Sequence, residues 1–180
     1  MLDNIGNLYS TNKIADTITS NGRKISVHTV ESYLTALTQR FILYKATRYD
    51  VKGKQYLKTG DKYYVADLGL RYFLLGRKEQ GRGHILENVV YLELSRRGYD
   101  VYIGKVDDCE VDFVAINSKG IEYYQVSETV RDENTLSREL RPLDMIKDHY
   151  PKYLLTMDLD PETSYNGIRK INVLDWLLEK

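Results

Sequence analysis

Apolar residues first recur at helical spacing. In STNKIADTIT, Ile14, Ala15 and Ile18 share one face, with Ser10 or Thr11 as the cap. NGRK at 21–24 is a turn. Ser26 is then a good N-cap for a second helix, on which Val27, Val30, Tyr33, Leu34, Leu37 and Phe41 repeat. The period next falls towards two. ILYKATRYD predicts a strand, VKGKQYLKTGD a basic, glycine-containing loop, and KYYVAD a returning strand. DLGLRYFLLG predicts a short helix capped by Asp67. Helix, turn, helix and a two-stranded wing is the order of a winged helix-turn-helix.

GRG at 81–83 marks a boundary, which divides the chain into residues 1–80 and 81–180. HILENVVYLELSRRG predicts an amphipathic helix with Leu86, Val89, Val90, Leu92 and Leu94 on its apolar side and Gly98 closing it. YDVYIG, CEVDFVAIN and GIEYYQVSE predict three strands, the last two joined by a tight turn at SKG. ENTLSRELRPLDMIKDHY predicts a helix, with Pro142 inside its first part or at a break. KYLLTMD predicts a strand, and IRKINVLDWLLEK a strand or turn leading into a terminal helix. The expected fold class is α+β or α/β. An N-terminal winged helix-turn-helix precedes a mixed sheet flanked by helices.

With 180 residues, 42% hydrophobic and 29% charged, the chain has the composition of a globular protein with one good core or two small ones. The single Cys109 excludes an internal disulfide. No apolar run reaches the length of a membrane span, and no signal peptide is readable, so a cytoplasmic location is expected. The net charge of zero conceals an asymmetry. Residues 1–80 carry 13 Lys and Arg against 7 Asp and Glu, whereas residues 81–180 carry 13 against 19. The basic half suits nucleic-acid phosphates or an acidic protein neighbour. Its candidate contacts are Arg23, Lys24 and His28 around the second helix, and Lys52, Lys54 and Lys58 in the basic loop.

Candidate chemistry lies in EVDFVAINSKGIEYYQVS, residues 110–127. One metal-dependent nuclease core places an Asp on one strand and Glu-x-Lys on the next, to hold Mg²⁺ or Mn²⁺ and orient a water. Here Asp112 is present, but Gln125 and Ser127 stand at the Glu and Lys positions. Glu87, near the start of the preceding helix, can point at the same strand ends. Glu87 and Asp112 would be the metal ligands of an active site. Gln125 is a neutral, weaker ligand, and Ser127 brings no positive charge. Two departures from the active pattern argue against catalysis. Glu110 shares a strand face with Asp112. Both also read as a solvated strand end or as salt-bridge partners of Arg138 or Arg96. Arg138 and Arg141, at i and i+3, lie on one side of their helix, facing a phosphate, the Asp112 cluster or solvent. There is no P-loop, no dinucleotide fingerprint and no zinc spacing, and His28, His84 and His149 are scattered.

The stretch TVESYLTALTQRFILYKATRYDVKGKQYLKTGDKYYVADLGLRYFLLG, followed by GHILENVVYLELSRRGYDVYIG, EVDFVAI, YYQVS and RELRPL, resembles the C-terminal region of a large family of bacterial and archaeal ATPases. Those proteins carry an AAA+-type P-loop domain first. A C-terminal domain of unknown function follows, described as a winged helix joined to a restriction-endonuclease-like fold. The resemblance covers nearly the whole chain, and its motifs are specific only in combination. It implies a piece of a longer protein, with an ATPase domain normally N-terminal to this region and Met1 at a boundary. It carries the endonuclease-like positions onto Glu87, Asp112, Gln125 and Ser127, with QVS the family's usual form. The expectation is a non-enzymatic accessory module, without a cofactor of its own, that binds nucleic acid or a protein partner and no membrane. Two rivals stand beside it. One is a divergent metal-dependent DNA nuclease using Glu87, Asp112 and Gln125. The other is a structural domain that sets the oligomeric state of the ATPase.

Overall fold

The computed structural model describes residues 6–8, 10–76 and 81–178. Met1 and the residues just before the expected boundary at 80 lie outside that range. Two helices, α1 (Thr11–Ser20) and α2 (Val27–Gln39), come first. Ser26 caps α2 by accepting from the Thr29 N–H at 3.1 Å. A hairpin of β1 (Leu43–Asp50) and β2 (Gln55–Val65) follows, then α3 (Leu68–Leu75), capped by Asp67. Next come α4 (Arg82–Arg96), β3 (Asp100–Val106), β4 (Cys109–Asn117), β5 (Gly120–Ser127) and α5 (Glu133–Asp144). The described chain ends with β6 (Lys152–Thr156), β7 (Thr163–Tyr165), β8 (Ile168–Asn172) and α6 (Val173–Leu178).

The eight described strands form one mixed sheet in the order β2-β1-β3-β4-β5-β6-β8-β7. The β1–β3, β5–β6 and β6–β8 pairs are parallel and the others antiparallel. The N-terminal hairpin is therefore not a free wing. Through β1 it is the flank of the same sheet that carries β4 and β5. Helices cover both faces. On one face Val90, Tyr91 and Leu94 of α4 and Trp176 of α6 pack with Ala46, Tyr64, Phe113 and Tyr124. Strand residues of opposite parity point to the other face. There Tyr63 and Val65 pack under α1 and α2, while Tyr123 and Leu154 pack under Leu143 of α5.

Several details differ from the sequence pattern, among them Phe41, which lies beyond the end of α2 and is exposed. The expected basic loop at 51–61 is mostly strand, because Gln55, Tyr56 and Leu57 pair with Asp50, Tyr49 and Arg48, and only residues 51–54 turn. Helix α5 stops at Asp144, with Pro142 in its last turn, so MIKDHY is not helical. The short edge strand β7 had no periodic signal, being three residues long.

Candidate functional site

The register of β3 on β4 slips once. Tyr102 faces Val114 and Gly104 faces Val111, which leaves Asp112 and Phe113 together opposite Ile103. This is a β-bulge, and such an extra residue re-aims side chains. Phe113 packs against Tyr64 and Tyr91 on the α4 face. The glycine opposite is required by space. A Cβ on Gly104 would lie 2.8 Å from the Val111 Cβ and 2.9 Å from the Val114 Cγ2.

Helix α4 brings Glu87 to this place. Asn88 fixes the helix against β2, accepting from the Val65 N–H at 2.8 Å and donating to the Val65 carbonyl at 3.0 Å. Glu87 is buried and receives three neighbours. The Tyr64 hydroxyl donates to its Oε1 at 2.6 Å, the Lys62 Nζ donates to Oε1 at 3.2 Å, and His84 Nδ1 stands 3.7 Å from Oε2. From the far side Gly6 presses on the same carboxylate: at φ +77°, a Cβ there would sit 3.0 Å from Oε2.

Lys62 is the central cation. Its side chain is 5% exposed, and it binds Glu110 Oε1 at 2.6 Å as well as Glu87. Burial alone would lower the Lys62 ammonium, but the carboxylates of Glu87, Asp112 and Glu110 raise it above the ordinary lysine value. Burial likewise opposes the charge on Glu87, yet His84, Lys62 and Tyr64 hold its carboxyl below the ordinary value. Asp112 goes the other way. Burial, reinforced by the negative charge of Glu87, raises it well above the ordinary aspartate value, against the pull of Lys62 and of the Val126 N–H. Asp112 Oδ2 accepts that N–H at 2.8 Å.

Gln125 is committed at both ends. Its Oε1 accepts from the Asp112 N–H at 3.3 Å, and its Nε2 donates to Glu139 Oε2 at 2.8 Å. Glu139 Oε1 in turn accepts from Arg138 at 2.8 Å. Above this network lies a cleft of 540 Å³, whose wall includes Gly83, His84, Asp112, Ser127, Glu128 and Arg138. The Ser127 hydroxyl is turned to the Thr129 carbonyl, at 3.1 Å.

Glu87, Asp112, Gln125 and Ser127 thus meet at one cleft, together with Arg138, and Glu110 is tied to Glu87 through Lys62. Arg141 does not join them: it lines a different cleft, with Lys52, Asp107 and Lys147. Arg96 is not a partner of Glu110 or Asp112 either, because it binds Glu93 at 2.6 Å within α4. The basic candidates fall in two regions, around the start of α2 and along the β1–β2 hairpin. Arg23 and Lys24 are exposed in the α1–α2 turn, with exposed His28 in the first turn of α2. Lys52 and Lys54 are in the β1–β2 turn, Lys52 pairing with Asp107 at 2.5 Å, and Lys58 is exposed on β2.

Sequence reasoning missed Lys62, Tyr64, His84 and Glu139. The first two carried a signal, since Lys62 and Tyr64 are two apart on a strand and share a face. Glu139 carried one too, lying three or four residues from Leu136, Pro142 and Leu143 on the buried side of α5.

Two of the candidate metal-site residues are already engaged. Lys62 holds the space between Glu87 and Glu110, and Gln125 has both amide atoms engaged. Among the described residues, no three His, Cys, Asp or Glu side chains are grouped so as to hold a metal.

Residues 1–81 match a domain of unknown function (DUF8612). The chain is 44% identical over 179 residues to an uncharacterized protein of Haemophilus influenzae, a match spanning 99% of this chain and 44% of that protein. It is 28% identical over 182 residues to an uncharacterized protein of Methanocaldococcus jannaschii, across 97% of this chain and 39% of the relative. The chain therefore spans less than half the length of either relative. No solved structure matches it. No described helix is long and apolar enough to cross a membrane.

Proposed function

We propose that this chain is a non-catalytic nucleic-acid-binding module, in which a nuclease-like core has exchanged metal chemistry for an internal ion network. The observation that carries this reading is Lys62. Its buried ammonium binds Glu110 and Glu87, and so already neutralises one of the two carboxylates that a divalent cation would need. The succession α4-β3-β4-β5-α5-β6 supports the restriction-endonuclease-like assignment. It comprises an antiparallel meander with β6 added in parallel to β5, and its acidic positions fall on α4 and β4. The succession of α1, α2 and the β1–β2 hairpin supports a winged-helix character for the N-terminal part. The extra length of both relatives leaves room for a further domain, in keeping with an accessory role beside an AAA+-type ATPase.

Binding would run through the basic N-terminal half. Reversing Lys52, Lys54 and Lys58 to glutamate is expected to weaken DNA binding and flatten its salt dependence, as measured by fluorescence anisotropy across a salt series. Unchanged affinity and slope would exclude this surface, and leave protein docking as the use of the module.

One observation favours a second reading. Lys62 supplies, from β2, the positive charge that Ser127 lacks beside Asp112. A divergent metal-dependent nuclease would nick supercoiled plasmid in Mn²⁺ and lose the activity in Asp112→Ala. On the leading reading, both proteins stay at background.

A further inference from the structure

On the face opposite α4, three tyrosines from three adjacent strands make ring contacts. Tyr56 of β2 meets Tyr49 of β1 at a centroid distance of 5.6 Å, edge on, and Tyr102 of β3 at 5.1 Å. Tyr49 and Tyr102 are 6.1 Å apart. Tyr49 is buried and anchors the group, whereas Tyr56 is 63% exposed. The cluster lies between two covered regions: α1 and α2 pack on Leu43, Tyr63 and Val65, and α5 packs further along the sheet. An exposed aromatic ring held in place by two others presents a flat apolar face at small conformational cost.

The charged surroundings are specific. Lys58 follows Tyr56 by two positions on β2, a separation of about 7 Å along the strand. Lys58 also lines a groove of 680 Å³ bounded by the hairpin, α2 and the start of α1, with Ser10, Thr38, Gln39, Lys45 and Asp61. Ser10, the N-cap of α1, makes no side-chain capping bond there. Lys45 is paired with Asp61 at 2.8 Å, and Glu31 also lines the groove with Lys58, so the groove is mixed in charge. A base needs a π-face and its phosphate needs a cation, and single strands are held by that combination without sequence readout.

We propose that Tyr56, backed by Tyr49 and Tyr102, is a stacking platform for single-stranded nucleic acid, with Lys58 taking the adjoining phosphate. This rests on the nucleic-acid reading above and specifies its ligand: an unpaired strand, whose bases can leave their own stack, not an intact duplex.

The test uses the whole chain, a labelled 12-nucleotide dT strand, a 12-nucleotide U strand and a 12-base-pair duplex, read by anisotropy. Tyr56→Ala, Tyr56→Trp and the triple lysine reversal are compared, with thermal unfolding to verify that each variant folds. The expected result is tighter binding of the single strands than of the duplex. Tyr56→Ala should lower single-strand affinity roughly 5- to 150-fold, the range of one lost base stack, and Tyr56→Trp should retain it. The dT and U arms tell DNA from RNA. Duplex binding that depends on the lysines and ignores Tyr56→Ala would overturn the platform and leave the nucleic-acid reading standing. Absence of binding to any of the three probes would overturn both.

Discussion

Lys62 keeps its charge where little water reaches it, because three carboxylates surround it. Removing one partner of a buried ion pair leaves the others uncompensated, which costs about 3–5 kcal/mol. Lys62→Met is therefore expected to destabilise the fold by that order in urea unfolding. Glu87→Gln placed in the same chain should return part of the loss, because it removes the stranded charge. Purely additive losses in the double variant would argue against the network. Asp112 makes a second, pH-dependent case. Its carboxyl is raised in the fold, so folding favours its protonated form. That contribution is present below the ordinary value of 3.8 and is lost as pH rises through the higher folded value. Glu87 is lowered, and its contribution is present above 4.5 and lost as pH falls. Asn mimics the protonated Asp112. Asp112→Asn should gain stability relative to the native chain as pH rises from about 4, in denaturation curves taken between pH 4 and 8. Parallel curves would mean that Asp112 is ionised in the fold.

At the scale of the element, local signals were strong wherever a helix needed a stop or a start. Ser26 and Asp67 are caps that the sequence showed and the structure uses, because a side-chain oxygen one residue before a helix can satisfy an orphan N–H by itself. The turn at SKG and the three strands around it were equally legible. The long β2 was not. Its Lys58–Asp61 stretch is polar and contains Gly60 at φ +84°, which reads as loop, yet the cross-strand contact of Tyr49 with Tyr56 keeps the hairpin paired almost to its tip. The bulge in β4 was also hidden. Period-two counting assigns Phe113 the face opposite Asp112, and only the pairing with β3 and the missing side chain of Gly104 show the slip.

At the scale of the molecule, one sheet joins the two halves of the chain. Strand β1 adds to β3 in parallel, and the Lys62 that it helps to position neutralises Glu87 and Glu110 from the other half. Residues 81–180 alone would expose the edge of β3 and strand two carboxylates. That segment is expected to aggregate or to lack a cooperative transition, as judged by circular dichroism and light scattering. A soluble segment with a sharp melt would show that the second half folds without the hairpin.

The sequence by itself determined most of the helices, the Ser26 and Asp67 caps, most of the alternating strands, the absence of a P-loop, and the suspicion attached to Gln125 and Ser127. These depend on period, on turn chemistry or on residue type, and all are local. The tertiary structure decided that the lysine of the site comes from the hairpin, that Gln125 is held by Glu139, that Arg141 stands apart from Arg138, and that three tyrosines from distant positions touch. The first and the last depend on strand order and register across the sheet, the other two on how α5 sits against it. Residues as far apart in sequence as Lys62 and Glu110, or Tyr49 and Tyr102, meet there because backbone hydrogen bonds set neighbouring strands about 4.8 Å apart, a distance no local pattern encodes.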